Sequence, residues 1–232
     1  MTMFFWDWTM IILIPGLIIS AIAQAKVTSS FNRYSRIQSR SGLTGFETAN
    51  RLLAVQNVPV TLHSIAGNLT DHFDPRNKTI GLSQPVGNSA SLAAVAVAAH
   101  ETGHAYQDYE GYFGLKFRNA IVPVCNFATN AAWPLFFIGL IFGGASQYGV
   151  MLMNIGILFF SFSLIFNLVT LPVEFNASHR ALVMLQENQM LGPDEIKGAR
   201  RVLSAAAMTY VAATLVSFLN LLRMILLRDS RS

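Results

Sequence analysis

Charge is what this chain has least of. Only 12% of its 232 residues are Asp, Glu, Lys or Arg, and 53% are hydrophobic, whereas soluble domains carry about 25% charged residues. The deficit is concentrated in three stretches. Asn119 to Val173 is 55 residues without Asp, Glu, Lys, Arg or His, Trp8 to Ala25 is 18 uncharged residues, and Val202 to Leu222 is 21. A helix needs about 20 apolar residues to cross a bilayer, so the long run holds two spans and each shorter run holds one. That excludes a soluble globular protein. It also excludes a disordered one, whose mark is low hydrophobicity with high net charge. Cysteine is nearly absent: Cys125 stands alone, which rules out an intramolecular disulfide and argues against a cysteine-bound metal cluster, leaving a small apolar packing residue. No Lys or Arg precedes Lys26, and Asp7 lies near the front. A secretory signal needs a positive start, so the first apolar run reads as an uncleaved span, with Trp6 and Trp8 in the interfacial aromatic belt.

These features predict an α+β, mostly helical integral membrane protein of a single domain, 1–232. About four membrane helices are expected near 10–25, 124–142, 150–171 and 203–222, with the main soluble part at 26–118. Nine Lys and Arg fall between Lys26 and Arg118 and four more between Glu174 and Arg201. The 143–149 turn has none, so 13 of the 16 positive charges share one side. By the positive-inside rule that side is the cytoplasm. Arg223, Arg228 and Arg231 fit only if the last helix fails to cross; otherwise the tail breaks the rule. The net charge of +4 is scattered among spans and forms no basic–aromatic stripe. The expected partners are therefore the bilayer and a protein or peptide substrate, with no nucleic acid and no nucleotide cofactor.

Within 26–118, Thr44-Gly-Phe-Glu47 has the form of a capping box and Phe46, Ala49 and Leu53 recur at helical spacing, which predicts an amphipathic helix over 44–55. Val58–Ile65, Asn68–Phe73 and Lys78–Ser83 are short runs with β-branched residues, separated by Gly67 and Asp74-Pro75-Arg76-Asn77. They predict a small antiparallel sheet. Ser89 to Tyr109 then reads as one helix, capped by Asn88 or a nearby serine.

That helix carries His100-Glu101-Thr102-Gly103-His104, the H-E-x-x-H pattern. Residues four apart share a helix face, so both imidazoles can grip one Zn²⁺. Glu101, one position further on, can serve as general base toward a zinc-activated water. Leu92 to Ala99 is uninterrupted apolar sequence and points to a buried helix, where two imidazoles and a carboxylate need polar partners. A pair of surface histidines fits those flanks badly. A hydrolytic zinc site needs a third protein ligand. Glu174, which reads as opening a helix directly after the third apolar run, is the best candidate among six Glu and six Asp. The alternative for Glu174 is a helix-capping carboxylate at the membrane boundary. His179 is a further candidate, but on a helix it lies about 140° around the axis from Glu174, which suits a supporting role or an ordinary polar position. Asp71, His72 and Asp74 read as strand-end and turn residues. If Glu174 binds the metal, the zinc lies close to the cytoplasmic bilayer surface.

Three stretches, Asp71–Ser83, Ala99–Gln107 and Pro172–Ser178, together resemble the YugP family of bacterial membrane zinc metallopeptidases over nearly the whole chain. More distantly the chain is similar to HtpX and the CAAX prenyl proteases. The resemblance implies a zincin-like core with one Zn²⁺, His100, His104 and Glu174 as ligands and Glu101 as base. It also implies that Lys78, Thr79, Ile80, Gly81 and Leu82 lie on an edge strand along which an extended substrate pairs. HtpX-type sequences place an Asp four residues after the glutamate to orient a ligand histidine; Ser178 stands there in this chain, implying a weaker bond.

The leading reading is an integral-membrane zinc endopeptidase of the bacterial cell (inner) membrane, its active site facing the cytoplasm. An intramembrane protease fits less well, because the apolar stretch before His100 spans only about eight residues, too few to cross a bilayer. A membrane scaffold or chaperone-like protein with a structural zinc is the non-enzymatic alternative. Structural sites usually close around four protein ligands, and only three are evident here.

Overall fold

The computed structural model describes residues 8–142 and 146–230. Trp6, Asp7, Arg231 and the 143–145 part of the predicted turn lie outside them. A 3-10 turn at Trp8–Leu13 leads into α1 (Ile14–Tyr34). There follow α2 (Gly45–Val55), β1 (Thr61–Ile65), β2 (His72–Asp74), β3 (Thr79–Ser83), α3 (Gln84–Gly87), α4 (Leu92–Tyr109), α5 (Phe113–Phe142), α6 (Gln147–Glu187) and α7 (Pro193–Asp229). Four stretches are long and apolar enough to cross a membrane: Trp8–Tyr34, α5, α6 and α7. This is an α+β membrane protein, mostly helical, with one small sheet.

The chain groups into two compact units. One comprises residues up to Ala23, Phe117–Leu171 and those from Thr209 onward; the other comprises Gln24–Lys116 and Pro172–Met208. The unit built on the expected soluble part thus takes in a second, distant segment. In the first unit, Ala132, Phe136, Met153, Phe160 and Met224 form the buried cluster. Gly139 and Gly156 let α5 and α6 approach closely: a Cβ on Gly139 would stand 2.6 Å from the Gly149 carbonyl oxygen, and one on Gly156 2.8 Å from Phe136 Cβ. Small residues at such crossings are how apolar helices associate where no hydrophobic force drives them together. Cys125 is buried. Near the end of α7, Arg223 Nε donates to Thr9 Oγ1 (3.2 Å) of the 3-10 turn, so Arg223 lies at the N-terminal end of the first span.

In the second unit, the capping box forms: Thr44 Oγ1 accepts from Glu47 N (3.2 Å) while Glu47 Oε2 accepts from Thr44 N (2.8 Å). The helix it starts buries Ala49, Leu52 and Leu53. Ala49 and Leu53 pack with Ile80, Leu82, Ala94 and Ala98 in one cluster and Leu52 with Leu92, Val95 and Leu185 in another, each large aliphatic contributing about 1.5–3 kcal/mol. The helix expected from Ser89 begins at Leu92, capped by Ser91, whose Oγ accepts from Ala94 N (3.3 Å). The run of alanines along α4 is fully buried; small side chains let neighbours close round the whole helix.

Two expectations need correcting. The sheet is mixed: its order is β1-β3-β2, with β1 parallel and β2 antiparallel to β3. Only the Asp74–Lys78 turn makes a hairpin, and its first residue accepts from Arg76 N (2.9 Å) and Asn77 Nδ2 (2.7 Å). The longer 66–71 segment carries the chain past β3, which a parallel pair requires. Consequently Thr79, Ile80, Gly81 and Leu82 occupy the central strand, not an edge. Lys78, in a left-handed conformation (φ 52°) at the end of the turn, pairs its ammonium with Asp108 of α4. Second, no helix begins at Glu174. α6 runs unbroken through Pro172, because a proline removes one backbone donor, whereas ending the helix in apolar surroundings would strand several polar groups.

Candidate metal centre

His100 and His104 lie one turn apart on α4, their ring centroids 4.8 Å apart at 83°. Glu174, on the part of α6 belonging to the same unit, is brought to them by a close helix approach. A Cβ on Gly103 would stand 2.6 Å from the Ala177 carbonyl oxygen, so only glycine fits between the two histidines. Glu174 Oε2 lies 3.4 Å from His100 Nε2 and 3.5 Å from His104 Nε2, and the donor atoms of all three residues lie within 4.8 Å of one another. Ligands 2.0–2.1 Å from a tetrahedral Zn²⁺ stand about 3.4 Å apart. The donor set and its spacing therefore suit zinc.

The polarity of the hydrogen bonds makes the same case. Arg180 Nε can only donate, and it donates to Asn176 Oδ1 (2.7 Å). Gln107 Nε2 donates to that oxygen and to the Val173 carbonyl, both at 2.9 Å. The Gln107 Oε1 is left to face His104 Nδ1 at 3.0 Å, so Nδ1 carries the proton. A neutral His104 then turns the lone pair of Nε2 toward the Glu174 carboxylate, an acceptor facing an acceptor, and a cation between them removes the conflict. His100 is held differently, by Ser178 Oγ 3.2 Å from its Nδ1, where either atom can donate.

Glu101 is buried, and its carboxyl is pushed up to about 7, chiefly by burial, with smaller opposing effects of His100 and Glu174. Asp71 and His72 also act electrostatically on it, and β2, which starts at His72, packs on α4. Asp71 accepts from Ser83 N (2.7 Å) and from its hydroxyl; burial raises its pKa. His179 is exposed and lines a cavity of about 360 Å³ with Gln56, Tyr106 and Glu187. Among the described residues it forms no hydrogen bond with the three histidine and glutamate donors.

Sequence reasoning assigned no role to Gln107, Asn176 or Arg180. Gln107 stands three residues after His104, a spacing that puts a side chain beside the imidazole, and that was the available signal. Its partners 66 and 69 residues away had none.

Residues 9–229 match the family described as "putative neutral zinc metallopeptidase", and the chain belongs to that family. It is 44% identical over 215 residues, 92% of this chain and 93% of the relative, to "Putative membrane protease YugP" of Bacillus subtilis. No solved structure matches it significantly.

Proposed function

From that family membership we propose a membrane zinc endopeptidase that hydrolyses peptide bonds in membrane or membrane-proximal proteins at the cytoplasmic face. The convergence of His100, His104 and Glu174 beside the buried Glu101 supports the reading most directly. Zinc held by the three would act as a Lewis acid that polarises the scissile carbonyl and acidifies a water molecule. Glu101 takes the proton from that water and returns it to the leaving amine. A carboxyl whose pKa lies near neutrality is suited to both transfers. Gln107 and Ser178 orient the two imidazoles. Because β3 is central, the extended substrate runs along β2, the edge strand that packs on α4. Held by His100, His104 and Glu174, the metal would keep a coordination position open for substrate. The cytoplasmic assignment rests on the 13 positive charges of 26–118 and 174–201.

Glu101→Gln is the test. Zinc content should be unchanged while cleavage of a casein-type substrate falls by about 10²–10⁴-fold. Proteolysis at the wild-type rate would remove Glu101 from the role of base.

A further inference from the structure

Away from the metal centre, a cavity of about 580 Å³ is lined by Lys26, Ser30 and Arg33 of α1 and by Arg200, Arg201 and Ser204 of α7, all in the second unit. Its volume lies in the ~300–1,000 Å³ range of small-molecule sites. Four cations meet there, and none forms an ion pair among the described residues. Some cations elsewhere in the same unit are paired, Lys78 with Asp108, Arg180 with Glu110 and Lys197 with Asp194; the four at the cavity share one lining. Clustering like charges without carboxylates costs repulsion, which an anion relieves.

The cluster is built, not incidental. Tyr34 is buried, with 6% of its surface exposed. Its hydroxyl accepts from Arg201 Nη1 at 3.1 Å, and the Arg33 guanidinium lies 5.7 Å from its ring centroid. One fixed side chain thus holds two of the four cations. Ser30 Oγ is buried and has no hydrogen-bond partner among the described residues, a cost that a bound acceptor removes. Its setting points to the source of the anion. Lys26 directly follows the uncharged run Trp8–Ala25, and Arg201 directly precedes the uncharged run Val202–Leu222. Both helices therefore pass from charged to apolar sequence at the cavity, with Ala205 and Met208 on its apolar side. Basic pockets at the ends of spanning helices suit anionic headgroups.

We propose that this cavity binds a phosphate group, supplied by the headgroup of an anionic phospholipid. The guanidinium groups and Lys26 take the phosphate oxygens, and the serine hydroxyls donate beside them. The site is separate from the metal centre and stands or falls independently of the peptidase reading.

The test uses the delipidated full-length protein, with bound lipid counted by native mass spectrometry. Phosphatidylglycerol is titrated against phosphatidylcholine of the same acyl chains, and inorganic phosphate is titrated in a separate arm. Wild type should prefer phosphatidylglycerol, and Arg33→Gln with Arg200→Gln should weaken it about 25-fold, roughly fivefold per charge. Lys26→Gln alone should cost about fivefold, which keeps the test open if the double variant misfolds. Arg51→Gln with Arg76→Gln, which removes two exposed charges elsewhere in the unit, should change nothing. Equal binding of the two lipids, or equal losses in the two double variants, would overturn the proposal. Binding of inorganic phosphate without phosphatidylglycerol would overturn the lipid assignment.

Discussion

The two histidines of the centre sit one helical turn apart, yet the protein holds them by unlike means. His104 is gripped by a partly buried relay running from Arg180 through Asn176 and Gln107. Every bond in it has its direction set by a guanidinium that can only donate. The relay imposes one tautomer, and through Gln107 Nε2 and the Val173 carbonyl it also ties α4 to the residue preceding Glu174. His100 has a single, longer contact to Ser178, whose hydroxyl both donates and accepts. Its side chain is also the more exposed, 16% against 10%. One candidate ligand is thus held by a network and the other by one ambivalent hydrogen bond. Arg180 anchors the far end of the network: it pairs with Glu110 and lies over the rings of Tyr106 and Tyr112. Nothing comparable backs Ser178 among the described contacts. On the proposed reading, the side of the site fixed by a hydrogen-bond network is that of His104.

Breaking what the two sides share should have the largest effect. Glu174→Ala removes the carboxylate that both imidazoles face, and the purified protein should lose its zinc, as read by elemental analysis. Full retention would place the third ligand elsewhere. Cutting only the His104 side comes next. Gln107→Leu leaves His104 Nδ1 without its side-chain partner and takes the Gln107 donor from the Val173 carbonyl and from Asn176 Oδ1, which keeps only Arg180 Nε. Zinc affinity in a competition titration with a chelator should drop about 10–100-fold, the usual result of deleting an orienting partner. Cutting the His100 side should matter least. Ser178→Ala removes one ambivalent bond, and the loss should be no more than about tenfold, the bottom of that range. If Ser178→Ala weakens zinc as much as Gln107→Leu, the two sides are equivalent and the contrast between them fails.

The parts of the site that were legible in the sequence are the parts that local geometry dictates. His100, Glu101 and His104 follow from a helix read off an apolar run, since spacing along a helix sets spacing around it. The capping box at Thr44 and Glu47 is likewise a matter of neighbours three residues apart. Glu174 was singled out as a candidate by its position after a long apolar run, yet it was read as opening a helix, whereas it lies inside α6. The strands at 61–65 and 79–83 fall within the predicted runs and that at 72–74 extends one residue past its run, into Asp74, but their order was misread. Two short turns between strands suggest a meander, and only the path of the 66–71 segment over β3 decides otherwise.

Composition and spacing alone therefore determined a chain with four apolar helices and a helix able to present two imidazoles and a carboxylate. Each of those properties is written within one or two turns of chain or one uncharged stretch. Tertiary structure decided which strand is left at the edge, that the relay from Arg180 sets the tautomer of His104, and that Gly103 admits the Ala177 carbonyl so that Glu174 reaches both histidines. The last two outcomes join residues 66 to 78 positions apart in sequence. Such pairs are created when α4 and α6 pack, and no local pattern encodes which atoms of two distant helices will meet.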